Sequence, residues 1–261
     1  MLVPPRDKKP ASAGFLFALA LSLHCALAPA QDYAREKRWS DDILATLMVG
    51  NTAWLTQKNG HRFLALYTEA PKARGAVIVA HGRGWSPDYE LYGTLRTKLA
   101  DAGYTTLAIQ LPVLDGTAKL VDYIATYPDA RERFQLAVDL LKSKGYANIA
   151  IVSHSLGASM ANQYLIKTDD DSVKAWVFVG IINGLEEMFR ITIPVLDVFG
   201  SQDWDVTRWG AEERRAQILK IAGSGQVVVP GAEHFFEGKE DRWCRPSTRF
   251  SAGSSASGGC G

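Results

Sequence analysis

Three short stretches of this chain carry residue types that together could transfer an acyl group. Ser153-His154-Ser155-Leu156-Gly157 follows the apolar run Ile149–Val152 and leads at once into a helix-forming segment. A strand-to-helix turn this sharp needs small residues two before and two after its apex, because bulky side chains there would collide with neighbouring backbone. Ser153 and Gly157 meet that need, so the spacing predicts a nucleophile elbow with Ser155 at its apex. Ser153 stands where glycine is usual, and it is still small. The elbow would present Ser155 at the carboxyl end of a sheet and the positive end of a helix, where developing negative charge is favoured.

A serine hydroxyl is a weak nucleophile until a neighbouring base takes its proton. Of the five histidines, His24 belongs to an N-terminal leader, His61 to an early hairpin, His81 to a glycine-bearing loop, and His154 to the elbow, with its ring expected to point away from the hydroxyl. His234, in Pro230-Gly231-Ala232-Glu233-His234-Phe235-Phe236, closely follows the last apolar strand and is the candidate base. The acid that orients it should lie after the preceding strand, in Gly200-Ser201-Gln202-Asp203-Trp204-Asp205. Asp203 is the first candidate and Asp205 the second; Asp197, inside the strand, reads as structural or as an edge residue. The chain order Ser155, Asp203, His234 differs from the orders of chymotrypsin-like and subtilisin-like proteases. In His81-Gly82-Arg83-Gly84-Trp85 the glycines let backbone approach a substrate closely, so the expected oxyanion donors are the N–H groups of Arg83 and Leu156. The Arg83 side chain could meet an acidic substrate group or simply sit in solvent. Trp85 and Trp204 could wall a substrate pocket or simply pack.

The elements that must position these residues follow from periodicity. An amphipathic helix is predicted from Asp32 to about Leu47, with Ile43, Leu44 and Leu47 on one face. Strands Thr52–Thr56 and Arg62–Tyr67 flank Asn59-Gly60, a hairpin signal, and Ala76–Ala80 reads as a strand buried on both faces. Helical stretches at Leu91–Ala102, Ala130–Lys144, Ser155–Ile166 and Trp209–Ile221 then alternate with apolar runs at Thr105–Ile109, Ile149–Val152, Ala175–Val179, Val195–Phe199 and Val227–Val229. That alternation implies βαβ units: an α/β fold with a mostly parallel central sheet and helices on both faces.

The chain has 261 residues, 47% of them hydrophobic and 22% charged, which suits one globular domain with a real core. A net charge of +1 with scattered basic residues leaves no footprint for nucleic acid. Arg6, Lys8 and Lys9, an apolar run from Phe15 to about Leu27, and Ala28-Pro29-Ala30 form the pattern of a cleaved signal peptide over residues 1–30. The run is shorter than the roughly 20 residues a spanning helix requires, so an exported protein, periplasmic or secreted, with no stable membrane span is expected. Residues 31–241 would form the domain. Residues 242–261, rich in serine and glycine, are expected to be disordered, as a natural tail or through a shifted reading frame. Cys244 and Cys260 either pair there or remain free thiols. No His, Asp and Cys cluster has metal-ligand spacing, and no metal is expected.

The His-Gly-x-Gly loop at His81, the Ser-x-Ser-x-Gly elbow, the Gly-Ser-x-Asp loop at Gly200 and the Gly-x-x-His-Phe-Phe segment at Gly231 together resemble the α/β-hydrolase superfamily, in particular small bacterial esterases of the dienelactone-hydrolase type. The stretch from His81 to Asp88, continued by Thr105 to Leu114, also resembles a group of exported bacterial hydrolase-like proteins of unassigned substrate. The resemblance spans roughly residues 60 to 240. It implies Ser155, Asp203 and His234 as a triad, a small-molecule ester or related acyl substrate, and no cofactor. Dienelactone hydrolases proper use cysteine, so the serine here argues against that activity. A lid would be inserted near Ile181–Arg190, which is too short for one, although Asp115–Tyr127 could cover part of the site. A carboxylic ester hydrolase is the leading expectation; a peptidase or amidase of the same fold, and a hydrolase-like binding module without turnover, are the alternatives.

Overall fold

The apolar runs become the strands of one eight-stranded sheet. In the computed structural model, which describes residues 31–182 and 184–239, they are β1 (Asn51–Thr56), β2 (Arg62–Thr68), β3 (Ala76–Ala80), β4 (Thr105–Ile109), β5 (Ile149–His154), β6 (Val173–Val179), β7 (Val195–Gly200) and β8 (Gly225–Val229). The leader, the Ser/Gly-rich tail, Cys244 and Cys260 lie outside the described residues. The strand order is β1-β2-β4-β3-β5-β6-β7-β8. The β1–β2 and β2–β4 pairs are antiparallel and every other pair is parallel, so the sheet is mostly parallel as the alternating pattern predicts.

Alternate residues of each central strand face opposite layers, which is why those strands are apolar throughout. Ile78, Ile151 and Phe178 pack under helices α3 (Tyr127–Ser143) and α4 (Leu156–Leu165), against Phe134, Leu141 and Ala161. Val79, Val152 and Val177 face the other way, against Leu91, Leu95 and Leu99 of α2 (Glu90–Asp101). The register aligns the carboxyl ends of the parallel strands: Ala80 lies beside Ser153, His154 beside Val179, Val179 beside Val198, and Gly200 beside Val229. Loops leaving β3, β5, β7 and β8 therefore emerge along one edge, where ligands of open α/β sheets bind.

Two helical expectations need correction. Helix α1 (Tyr33–Thr46), capped by the Asp32 carboxylate accepting from the Arg35 amide at 2.9 Å, leaves Leu44 48% exposed; its inward side is Glu36, Ser40 and Ile43. Ile43 and Leu47 pack on the core as expected, and Glu36 is drawn in beside them by Arg133 of α3, 2.9 Å away and wholly buried, so an ion pair joins the apolar contacts in orienting the helix. The helix expected over Trp209–Ile221 is two, α5 (Asp205–Trp209) and α6 (Ala211–Ile218), parted at Gly210. Arg214 reaches back to donate to the Thr207 carbonyl at 2.8 Å, the acceptor a continuous helix would have used. Ahead of α3, residues Leu120–Thr126 of the segment that could cover the site form a 3₁₀ turn that runs into the first residue of that helix.

Candidate active site

The elbow is built as its small residues require. Ser155 follows β5 with φ 53° and ψ −123°, a left-handed conformation that a serine adopts only when its surroundings enforce it. Its amide is held by the Val179 carbonyl at 2.8 Å. Gly157 allows α4 to start hard against the β3 loop: a β-carbon there would lie 2.3 Å from the carbonyl oxygen of His81. Ser153, in the other small position, accepts the Trp176 indole N–H at 2.9 Å, so its hydroxyl has a use that glycine would lack.

Three loops then meet. His234 Nε2 lies 3.0 Å from Ser155 Oγ, and His234 Nδ1 lies 2.7 Å from Asp203 Oδ1. With Nδ1–H donating to the carboxylate, Nε2 is free to accept from the serine hydroxyl. All three side chains are buried. Asp203 Oδ1 also accepts the backbone amide of Trp204 at 2.7 Å. Gly180, with φ 56°, is where the neighbouring strand leaves room: a β-carbon would stand 3.1 Å from the imidazole and 3.2 Å from Asp203 Oδ2. Asp205 is elsewhere, ion-paired on the surface with Arg208. Asp197 is a wholly buried structural residue bonded to Arg214 at 2.9 Å and Gln226 at 2.8 Å; burial pushes its carboxyl up, against the pull of the guanidinium.

The amides of Arg83 and of Leu156, the first residue of α4, donate to no group among the described residues. Arg83 sits in the loop after β3 and lines one cleft, and Leu156 follows Ser155 of that same cleft at the start of α4. That cleft, of about 430 Å³, is lined by Arg83, Trp85, Leu120, His154, Ser155, Ile182, Trp204, Val206 and Phe235. Its walls are thus largely aromatic and aliphatic, with Arg83 the one charged side chain. Ser155, itself buried, forms part of the wall of this cleft. Among the described residues, no group of three or more His, Cys, Asp or Glu is placed to hold a metal ion, and no helix is long and apolar enough to cross a membrane.

Three solved structures place this architecture. Est1E from Butyrivibrio proteoclasticus matches with a TM-score of 0.62 and 15% identity over 77% of this chain and 97% of its own. Dienelactone hydrolase from Anabaena variabilis matches at 0.61 and 19% identity, over 77% and 95%. Carboxylesterase CesB from Bacillus subtilis matches at 0.62 and 12% identity, over 85% and 99%. The chain has the α/β-hydrolase fold. No curated protein matches the sequence. A family model described as a protein of unknown function, DUF3530, matches residues 25–131, a segment that includes the Arg83 loop and ends before Ser155.

Within this hydrolase fold the chain runs from β6 to β7 through residues 180–194, with no lid domain inserted. The side chains that fix the Arg83 loop escape sequence reasoning. His81 is buried and neutral, its ring held by burial down to about 4: Nε2 accepts from the Leu111 amide at 2.8 Å and from Gln110 Nε2 at 2.9 Å, while Nδ1–H donates to the Gly82 carbonyl at 2.8 Å. Tyr92 of α2 takes the Gly82 amide at 2.8 Å and donates to His154 Nδ1 at 2.8 Å. His154 in turn donates from Nε2 to the His234 carbonyl at 2.9 Å, which turns its ring away from the Ser155 hydroxyl, as expected for an elbow neighbour. Burial, then the nearby His234 ring, press its pKa down to about 3, so it too is neutral. Among the cleft residues, Leu120 comes from the segment expected to cover the site. Phe235 adjoins His234 in sequence, and that adjacency was the available signal. Ile182 and Val206 carry no motif.

Proposed function

We propose that this protein is a serine hydrolase that cleaves a carboxylic ester through an acyl-enzyme on Ser155. The observation that carries the reading is the continuous hydrogen-bonded line from Ser155 Oγ through His234 to Asp203, 3.0 and 2.7 Å per step. As Oγ attacks the ester carbonyl, its proton passes to His234 Nε2, and Asp203 opposite Nδ1 stabilises the imidazolium that forms. The carbonyl oxygen becomes an oxyanion facing the amides of Arg83 and Leu156 and the amino end of α4. Collapse expels the alcohol, protonated by His234, and water then releases the acid by the same steps in reverse. The apolar cleft, open at the sheet edge, suits a small or extended acyl group. Similarity in fold to Est1E and to a carboxylesterase supports hydrolysis and leaves the substrate to experiment. The leader pattern in residues 1–30 supports a site of action outside the cytoplasm, periplasmic or secreted.

A series of p-nitrophenyl esters of increasing chain length, run beside the matching anilides, tests the assignment. Turnover of esters exceeding that of anilides, and its loss in Ser155→Ala, is expected. Preferential anilide cleavage would make the protein an amidase, and equal ester turnover in Ser155→Ala would remove Ser155 from the chemistry.

A further inference from the structure

The ring of His234 has a partner on its face as well as at its two nitrogens. The Trp204 indole lies parallel to it, with centroids 3.7 Å apart and planes 13° from coplanar. Trp204 is 46% exposed while His234 is buried, so the indole covers the imidazole from solvent and also lines the cleft. Phe235 meets the imidazole edge-on at 5.1 Å and the indole edge-on at 6.1 Å, fixing their relative tilt. The backbone amide of the same Trp204 holds Asp203 Oδ1. One residue thus touches both members of the pair that orients the serine.

We propose that the Trp204 indole is a positioning residue for His234 that stabilises the protonated imidazole by offering the negative face of its π-system to the new charge. The catalytic consequence rests on His234 being the base. When the Ser155 O–H bond breaks and the proton moves to Nε2, the ring gains a full positive charge in a place that water scarcely reaches. Asp203 faces that charge at Nδ1, and the indole faces it from above, where a stacked aromatic attracts a cation. The other groups near the ring contribute less. His154, with its centroid 4.8 Å away, is neutral, and Phe235 carries no charge. Asp197 and Arg214 are ion-paired with each other at 2.9 Å, and Glu233, the preceding residue, is exposed.

The test compares Trp204→Leu and Trp204→Phe with wild type. Leucine keeps apolar cover over the ring without a π-face; phenylalanine keeps the face; both keep the backbone amide on Asp203. The pH midpoint of the His234 imidazole signal is followed by NMR in the intact chain, assigned with His234→Gln. In Trp204→Leu the midpoint should move to lower pH by about half a unit to one unit, with Trp204→Phe between leucine and wild type. On a p-nitrophenyl ester, kcat/KM of the leucine variant should fall about 3- to 30-fold, with the acid limb of its pH profile displaced in the same direction. A midpoint that stays put or rises in Trp204→Leu overturns the proposal and makes the indole a cleft wall only, whatever happens to the rate. The NMR readout needs no turnover, so a displaced midpoint in a protein that hydrolyses no ester would uphold the indole's effect while defeating the hydrolase reading.

Discussion

The indole N–H of Trp176 donates to the hydroxyl of Ser153 at 2.9 Å, both wholly within the sheet layer. Trp176 on β6 is the largest fully buried side chain among the described residues, and its single donor has no water to turn to. Serine in the first small position of the elbow therefore serves two ends: it is small enough for the turn, and it satisfies the tryptophan. Ser153→Ala should keep the turn but strand that donor, lowering stability by about 1–3 kcal/mol in urea denaturation. In a Trp176→Phe background, where the donor is already gone, the same substitution should cost little. Equal costs in the two backgrounds would mean that the hydrogen bond is not what the serine contributes.

Two buried histidines give the fold an acid-sensitive flank. His81 and His154 are held at about 4 and about 3, against 6.5 for a free imidazole, chiefly because burial disfavours the charged ring. Their folded-state values are depressed, so the unfolded chain binds more protons below about pH 6.5. The stability they confer is complete above that pH and is lost as pH falls toward 4 and then 3. Each should contribute a slope of about 1.4 kcal/mol per pH unit across that window. Denaturation midpoints at pH 7, 6 and 5 would show it, and His154→Phe should remove about half of the slope. A flat profile from pH 7 to 5 would contradict the burial of both rings as neutral species.

Asp203 and Asp205, two residues apart, make opposite predictions. Asp203 is buried against His234, whereas Asp205 pairs with Arg208 on the exposed start of α5. Asp203→Asn should lower kcat on an activated ester by roughly 10⁴-fold, because an amide there favours the wrong imidazole tautomer. Asp205→Asn should leave kcat within about twofold, since an exposed ion pair is worth little. Comparable losses in both variants would show that the loop, and not the Asp203 carboxylate, is what matters.

Much of the architecture was legible because strands buried on both faces must be apolar throughout. The runs at Ala76–Ala80, Thr105–Ile109 and Ile149–Val152 all became central strands. What escaped prediction has physical causes. The buried side of α1 is partly polar, since Glu36 is wanted by Arg133, and hydrophobic periodicity cannot register an ion pair with a helix nearly a hundred residues away. The break at Gly210 depends on Arg214 finding the Thr207 carbonyl, a tertiary event. At the candidate site, elbow spacing and chain order pointed to Ser155, Asp203 and His234, which the structure does bring together. The flat contact of Trp204 on His234 was invisible, because sequence places a tryptophan in a loop without saying which way its ring faces.

The central claim is that the Ser155 hydroxyl is activated by His234, and a fluorophosphonate probe tests it most directly. Intact-mass measurement and peptide mapping should show one adduct on Ser155 in wild type, none in Ser155→Ala, and labelling slowed at least about a hundredfold in His234→Ala. A folded wild-type protein that takes up no probe, or takes it up on another residue, would contradict the account.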